Sequence, residues 1–419
     1  MNKFFFYRNT FLCVLMSPLM TVLVAASNPP TIMASSPLGM GTSSVAINAS
    51  GKGLAVWTRY DNSGLIVESA TLNNGTWGPT NNLSGSVIYA EAVQVAINDL
   101  GVGFAVWSGF DGINYTINAA RYDGTVWSAP QVLPSSGIVF TPQLSMNSSG
   151  QAIAVWTSFI NDSSIQAVIY TPPAGWGALS TISVDPASSN PQVEISNMGD
   201  GAVVWIAFDG SDIVIRAATY TGSWNPPLTL SLTGGNAQSP QVAVDSQGNA
   251  MAVWQAESAG INLIRSAKYT FGLGWNAAQI ISDQAADSFL AFVGMNHLGD
   301  AVATWNFSNG TNGQIGSARF SSNTWSAPTV ISPTGQDTLP GQVVLNNTDR
   351  AAAIWIAANQ VEDVVSISGI WGSPTSLSSP TSIAFNPVIA ISDGNNELVS
   401  WTALDGLLYS VQTVTGTLP

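Results

Sequence analysis

Fifteen tryptophans at a fixed pitch, short apolar runs separated by Gly, Asn, Asp and Ser, and no strong helical periodicity predict an all-β chain. The pitch is the strongest of these observations. Eight tryptophans close a small-apolar run: Trp57, Trp107, Trp156, Trp205, Trp254, Trp305, Trp355 and Trp401, about 49 residues apart. The other seven follow about 20 residues later: Trp77, Trp127, Trp176, Trp224, Trp275, Trp325 and Trp371. Eight tandem units of four antiparallel strands are the pattern of an eight-bladed β-propeller, because a single such sheet covers neither of its faces and must stack on its neighbours.

The fifth copy justifies the elements in order. Residues 240–244 alternate as a first strand, and 245–249 (Asp-Ser-Gln-Gly-Asn) are a turn in which Gly248 supplies positive φ. Residues 250–255 form a second strand around Trp254, 258–260 turn again, and 261–269 are a third strand. Trp275 then precedes a fourth strand at 279–282. Two residues before the first-series Trp stands Ala in six copies (Ala55, Ala105, Ala154, Ala252, Ala303 and Ala353), a small side chain that lets the next sheet approach the indole. The second Trp is expected to plug the outer hairpin between strands three and four.

The last copy carries three strands, at 388–391, 398–401 and 407–414. Residues 30–35 (Pro-Thr-Ile-Met-Ala-Ser) read like the fourth strand at 328–332 (Pro-Thr-Val-Ile-Ser), and a first strand follows at 43–48. The N-terminal segment is therefore expected to pair with the last blade and close the ring, which removes open sheet edges. The expected organisation is a signal peptide at 1–26 and a single propeller domain at 28–419.

The leader reading rests on Lys3 and Arg8, an apolar run at 11–24, and small residues ending at Ala26. Cleavage there gives a secreted, periplasmic or cell-surface product; a retained anchor is the alternative. Cys13, the one cysteine, lies inside the leader, so the mature chain has no disulfide or thiol chemistry. Only 8% of residues are charged, and 24 Asp+Glu outweigh 10 Lys+Arg for a net charge of −14. That balance excludes a phosphate-binding surface, hence nucleic acid as a partner. No other apolar stretch is long enough to span a bilayer, and the product is expected to be a monomer.

Two turns, 122–127 (Tyr-Asp-Gly-Thr-Val-Trp) and 74–77 (Asn-Gly-Thr-Trp), resemble a degenerate Asp-box, the hairpin signature of sialidase-like propellers. Most copies lack the Asp, as 321–325 does. Across the mature chain the repeats resemble the secreted Trp-rich β-propellers of bacteria, and a Trp in each of eight blades also resembles the quinoprotein dehydrogenases. The first resemblance implies an arginine cluster, a tyrosine nucleophile and acid/base carboxylates. The second implies calcium ligands and a cofactor cage. Neither specifies a function, because propellers host many. Arg121, Arg216, Arg265 and Arg319 fall in third strands, which argues for a structural role.

His297, the single histidine, occupies a turn position that other copies fill with Ser, Met or Asp, and it reads as an exposed turn residue. No cofactor is expected. Calcium has no loop motif, and pairs such as Asp209/Asp212 and Asn161/Asp162 read as turn formers. Departures from the repeat say more. In the first strand, the residue between two apolar positions is small (Ala46, Ala96, Ser145, Ala243, Ala390) but is Glu194 in the fourth copy. Read as the one carboxylate in a first strand, Glu194 is a charge on the central channel that must be hydrated or paired. The linkers from strand four to the next strand one carry Tyr89, Glu91, Phe140, Asp185, Asp283, Asp287 and Asp337. With the turns between strands two and three they share one face, and irregular loops on a regular scaffold build binding sites.

The function expected is a secreted, non-catalytic propeller that binds a glycan, peptide or protein through that face. The alternative is an extracytoplasmic enzyme acting on polysaccharide or a small metabolite, with carboxylates at the channel mouth. A structural or adhesive surface protein is a third possibility. Glu194 beside other ionisable groups in a deep pocket would favour the enzyme; scattered carboxylates with exposed aromatics would favour binding.

Overall fold

A computed structural model of the chain describes residues 26, 27, 29–62, 64–85, 89–339 and 341–419, all of them strand, turn or loop. The leader lies outside the described residues, except Ala26.

Each first-series Trp sits on a second strand flanked by antiparallel first and third strands. In the fourth repeat these are Ser189–Ile195, Gly201–Phe208 and Ile213–Tyr220. In the seventh, Arg350–Ala357 pairs with Gln360–Ile367 on one side and with Thr338–Leu339 and Val343–Leu345 on the other. In the eighth, Asn396–Asp405 lies between Ile383–Ile391 and Leu408–Thr417. The N-terminal strand Thr31–Ser36 pairs with Leu408–Thr417, as the sequence predicted, and Ala26–Ser27 extends that edge. The first and second repeats share one nine-stranded sheet through a single parallel pair, Leu65 and Tyr89.

The indoles fix how the sheets stack. Seven of the eight first-series tryptophans are among the largest fully buried side chains. Each leans into the seam with the preceding repeat: Trp205 against Ile153, Val155 and Ile165, and Trp401 against Ile354, Ile356 and Val361. Trp57 does the same with Leu398 and Val411 of the eighth repeat. First strands touch in succession, and that of the eighth, Ile383–Ile391, touches that of the first, Met40–Ile47. Polar bonds cross the same seam, from Thr402 Oγ1 to Gly41 O and from Asn396 Nδ2 to Ala49 O, both at 3.2 Å.

Three expectations need correction. Fourth strands are two short pieces, such as Thr324–Trp325 and Thr329–Val330, because residues like Pro328 carry no N–H and interrupt the ladder. First strands start earlier than expected and carry a bulge, as between Glu91 and Gln94 or Phe140 and Gln143. Tyr89, Glu91 and Phe140 therefore lie in strands (Tyr89–Ile97 and Ile138–Met146) and not in linkers, and Glu194 is not the one carboxylate in a first strand. The bulge residue adopts a left-handed conformation even without glycine, as at Thr141, Asn190 and Ser239, and proline follows each of these three. The third-strand arginines also occupy two positions: Arg216 and Arg265 lie opposite Trp205 and Trp254, whereas Arg121 and Arg319 lie opposite Phe104 and Val302.

Candidate functional site

The turns after the first strands form one end of the stack. Asn48 shows their construction: its Oδ1 accepts the N–H groups of Ser50 and Lys52, and its Nδ2 donates to Asn98 O in the next repeat. Asn98, Asn147 and Asn346 pass a donor on in the same way. Two adjoining cavities of about 170 and 210 Å³ open here and share Asn197, Ile391 and Asp393. Their walls draw on all eight repeats through the last first-strand residue: Ile47, Ile97, Met146, Ile195, Val244, Met295, Leu345 and Ile391. His297 sits on this rim as an exposed turn residue, its N–H donated to Asn347 Oδ1 at 2.7 Å.

Glu194 lies one residue in from that mouth. Ser145 Oγ, on the adjacent first strand, donates to Glu194 Oε1 at 2.8 Å and accepts the N–H of Ile195 at 3.1 Å. Enclosure by the surrounding strands raises the Glu194 carboxyl to about 7, against the opposing pull of the Ser145 hydrogen bond. No hydrogen bond or ion pair joins Glu194 to a second ionisable group among the described residues.

The other end collects the starts of the first strands, the linkers into them and the turns between strands two and three. Tyr89 Oη donates to Glu91 Oε2 at 2.9 Å, with Tyr60 nearby, and burial followed by that bond pushes the Tyr89 phenol up. Phe140 contacts Tyr115 (5.7 Å between ring centroids), which contacts Phe110 (4.8 Å). Three of the four aspartates serve the backbone. Asp287 and Asp337 accept the N–H groups of Asn262 and Gly313, at 2.8 and 2.9 Å, where third strands begin; Asn236 does the same for Ile213. Asp283 accepts Ala285 N–H within its own linker. Asp185 pairs with Arg216 at 3.0 Å and accepts the Ser183 hydroxyl. The structure thus joins Tyr89 to Glu91, and it leaves the four aspartates as braces of separate turns.

A cavity of about 530 Å³ opens on this same end and includes none of the sequence-selected residues. Leu290, Phe292, Leu339, Ile356 and Phe385 give it an apolar wall, with Gln94 and Gln342 among its polar groups. Its signal was present in the sequence: Gln94, Gln143, Gln192, Gln241 and Gln342 all stand two residues before the Glu194 position. Phe385 lines it, and on the same end Tyr60, Tyr89, Tyr115, Phe159, Phe208 and Phe385 each expose between 36% and 49% of their surface.

No family model matches the chain, and no curated protein matches its sequence. Solved structures match in shape. A puromycin hydrolase, solved as a mutant complexed with PGG, aligns at TM-score 0.51 and 14% identity, over 87% of this chain and 58% of that one. An ulvan lyase, a polysaccharide lyase bound to -[GlcA(1-4)Rha3S]-, aligns at 0.50 and 10% identity, over 75% and 90%. The chain has a β-propeller-type fold. At such identities the likeness is one of fold alone.

The arginine cluster that the sialidase-like resemblance implies is not assembled among the described residues. Arg59 grips Glu68 at 2.7 Å, Arg216 holds Asp185, and Arg319 bridges Asp300 and Asp349. Each of these cations is neutralised within the scaffold. Asp123, the Asp of the best Asp-box-like turn, accepts the N–H groups of Thr125 and Val126, and these bonds draw it down to about 2.

Proposed function

We propose that the chain is an exported, closed, eight-bladed propeller that binds carbohydrate without transforming it, through the face bearing Tyr60, Tyr89, Tyr115 and Phe385. Closure is supported by the pairing of Thr31–Ser36 with Leu408–Thr417 and by the packing of Trp57 on the eighth repeat. Export rests on the leader at 1–26.

The observation that carries the binding reading is the set of partly exposed aromatic rings on the end of the fold that also holds an apolar cavity, lined by Phe385, and carboxylates already committed to turns. A ring face is electron-rich and takes the polarised C–H groups of a sugar, while glutamine side chains in the cavity can bond its hydroxyls in both directions. An enzyme acting by general acid and base needs paired titratable groups within reach of one substrate atom. Glu194 has Ser145 for its partner instead. The ulvan lyase neighbour engages a polysaccharide, which is compatible with a saccharide ligand on this fold.

A glycan array on the purified mature chain, followed by calorimetric titration of the hits, tests the reading. Tyr89→Ala and Phe385→Ala should each weaken a hit at least tenfold with unchanged melting temperature. Binding insensitive to both variants, or turnover of the saccharide that is lost in Glu194→Gln, would overturn it.

A further inference from the structure

Two carboxylates absent from the sequence-selected set break the repeat in the same seam. Four residues before the first-series Trp stands Gly or Ala in seven repeats (Gly53, Gly103, Ala152, Gly201, Ala250, Ala301 and Ala351); in the eighth it is Glu397. Opposite the residue preceding that Trp, third strands carry Ser, Ala or Thr in seven repeats; in the seventh it is Asp363, paired with Ile354. Asp363 alternates with Val361 and Val365, and Glu397 with Val399 and Trp401, and all four of these apolar residues belong to the core between the seventh and eighth repeats. Both acids are sealed from solvent, at 1% and 0% exposure. Thr375 Oγ1 donates to Asp363 Oδ1. Among the described residues, Asp363 Oδ2 and both Glu397 oxygens have no hydrogen-bond partner.

Two uncompensated charges at such a seam would be strongly disfavoured, because neither the core nor a partner replaces the lost hydration. Burial holds Asp363 up to about 6, and burial together with the Asp363 charge holds Glu397 up to about 8. The surrounding strands offer little relief. Glu362 neighbours Asp363 and is itself raised, by burial and then by the Asp363 charge. Arg350, on the facing second strand, donates to Pro419 O and to Thr348 instead. Asp405 lies at the far end of the eighth repeat's second strand and Tyr409 on its third; Ile383–Ile391, Thr375–Ser376 and Thr31–Ser36 bring no ionisable group.

We propose that Asp363 and Glu397 make the junction of the seventh and eighth repeats a proton-dependent latch: it is tight while the two carboxyls are protonated, and alkali loosens it by ionising them. Neutral carboxyls leave the seam dry and apolar; ionised ones draw water between Gln360–Ile367 and Asn396–Asp405.

Hydrogen exchange of the full chain at pH 5 and pH 8.5, corrected for intrinsic rates, tests this together with thermal melts. In the wild type, protection of Gln360–Ile367 and Asn396–Asp405 should fall at pH 8.5, while Ala152–Ile160 and Gly201–Phe208 hold theirs. The double variant Asp363→Asn, Glu397→Gln should keep that protection at pH 8.5 and melt higher there than the wild type. Glu194→Gln should leave the exchange pattern of this seam unchanged, which separates the latch from the channel carboxylate. Equal protection at both pH values in the wild type, or an unchanged pH response in the double variant, would overturn the latch. So would a calcium-dependent rise in melting temperature at pH 8.5 that disappears in the double variant, because the oxygens would then hold a cation.

Discussion

Ser145 and Glu194 are joined across two repeats, hydroxyl to carboxylate, at 2.8 Å. The serine also accepts the N–H of Ile195, so one hydroxyl stitches two adjacent first strands and steadies the acid between them. The folded state holds Glu194 at about 7 against an ordinary value of 4.5. A raised carboxyl makes the fold lose stability as pH climbs between those values, with no further loss above them. Glu194→Gln should therefore be neutral at pH 4 and stabilising at pH 8, by about 1–3 kcal/mol after allowance for channel hydration. Urea denaturation at the two pH values checks it; equal effects at both would contradict the sign.

The two tryptophan series should differ in their energetic weight. Trp205 is wholly buried in the seam with the third repeat, whereas Trp127 is only partly buried beside Tyr122. Trp205→Ala should cost about 3–5 kcal/mol, and Trp127→Ala about 1–2 kcal/mol. Chemical denaturation with fixed slope reads both.

Arg319 ties three segments together. It reaches Asp300 at 3.2 Å on its own repeat and Asp349 at 2.5 Å on the next. All three groups are partly exposed, so screening limits their worth. Arg319→Ala should cost about 1 kcal/mol at low salt, shrinking toward zero in 1 M NaCl, where the screening length is only about 3 Å. Melts across a salt series follow it.

The proposed ring closure depends on a short N-terminal strand. Ser35 and Ser36 pair with Ser410 and Tyr409, covering an edge of the eighth repeat. A chain truncated before Leu38 should expose Leu408–Thr417 as an open edge and self-associate. Light scattering should show larger species for the truncated chain than for the parent; a truncation of unchanged size and equal stability would contradict the role given to this strand.

Much of the architecture was legible because it is periodic. The Trp pitch located every second strand, and the likeness of 30–35 to 328–332 found the pairing with the last repeat. Bulges escaped notice, because positive φ at Thr141, Asn190 and Ser239 is a tertiary outcome that composition does not announce. The bracing role of the linker aspartates was hidden for a related reason: Asp287 and Asp337 look free in the sequence, and the backbone groups they brace lie about 25 residues earlier. Asp363 and Glu397 were readable from column-by-column comparison of the repeats, where a lone charge stands among Gly, Ala, Ser and Thr. Glu194 stands out within the first strands, whereas these two acids lie in a third and a second strand.

Because every first-series indole leans backward, the assembly has a sense of rotation. Losing the Trp305 side chain empties space beside Val253 and Ile264, in the fifth repeat, rather than beside the seventh. Damage from such a lesion should spread toward lower residue numbers first, so the stack of sheets is mechanically one-way even though its repeats are alike.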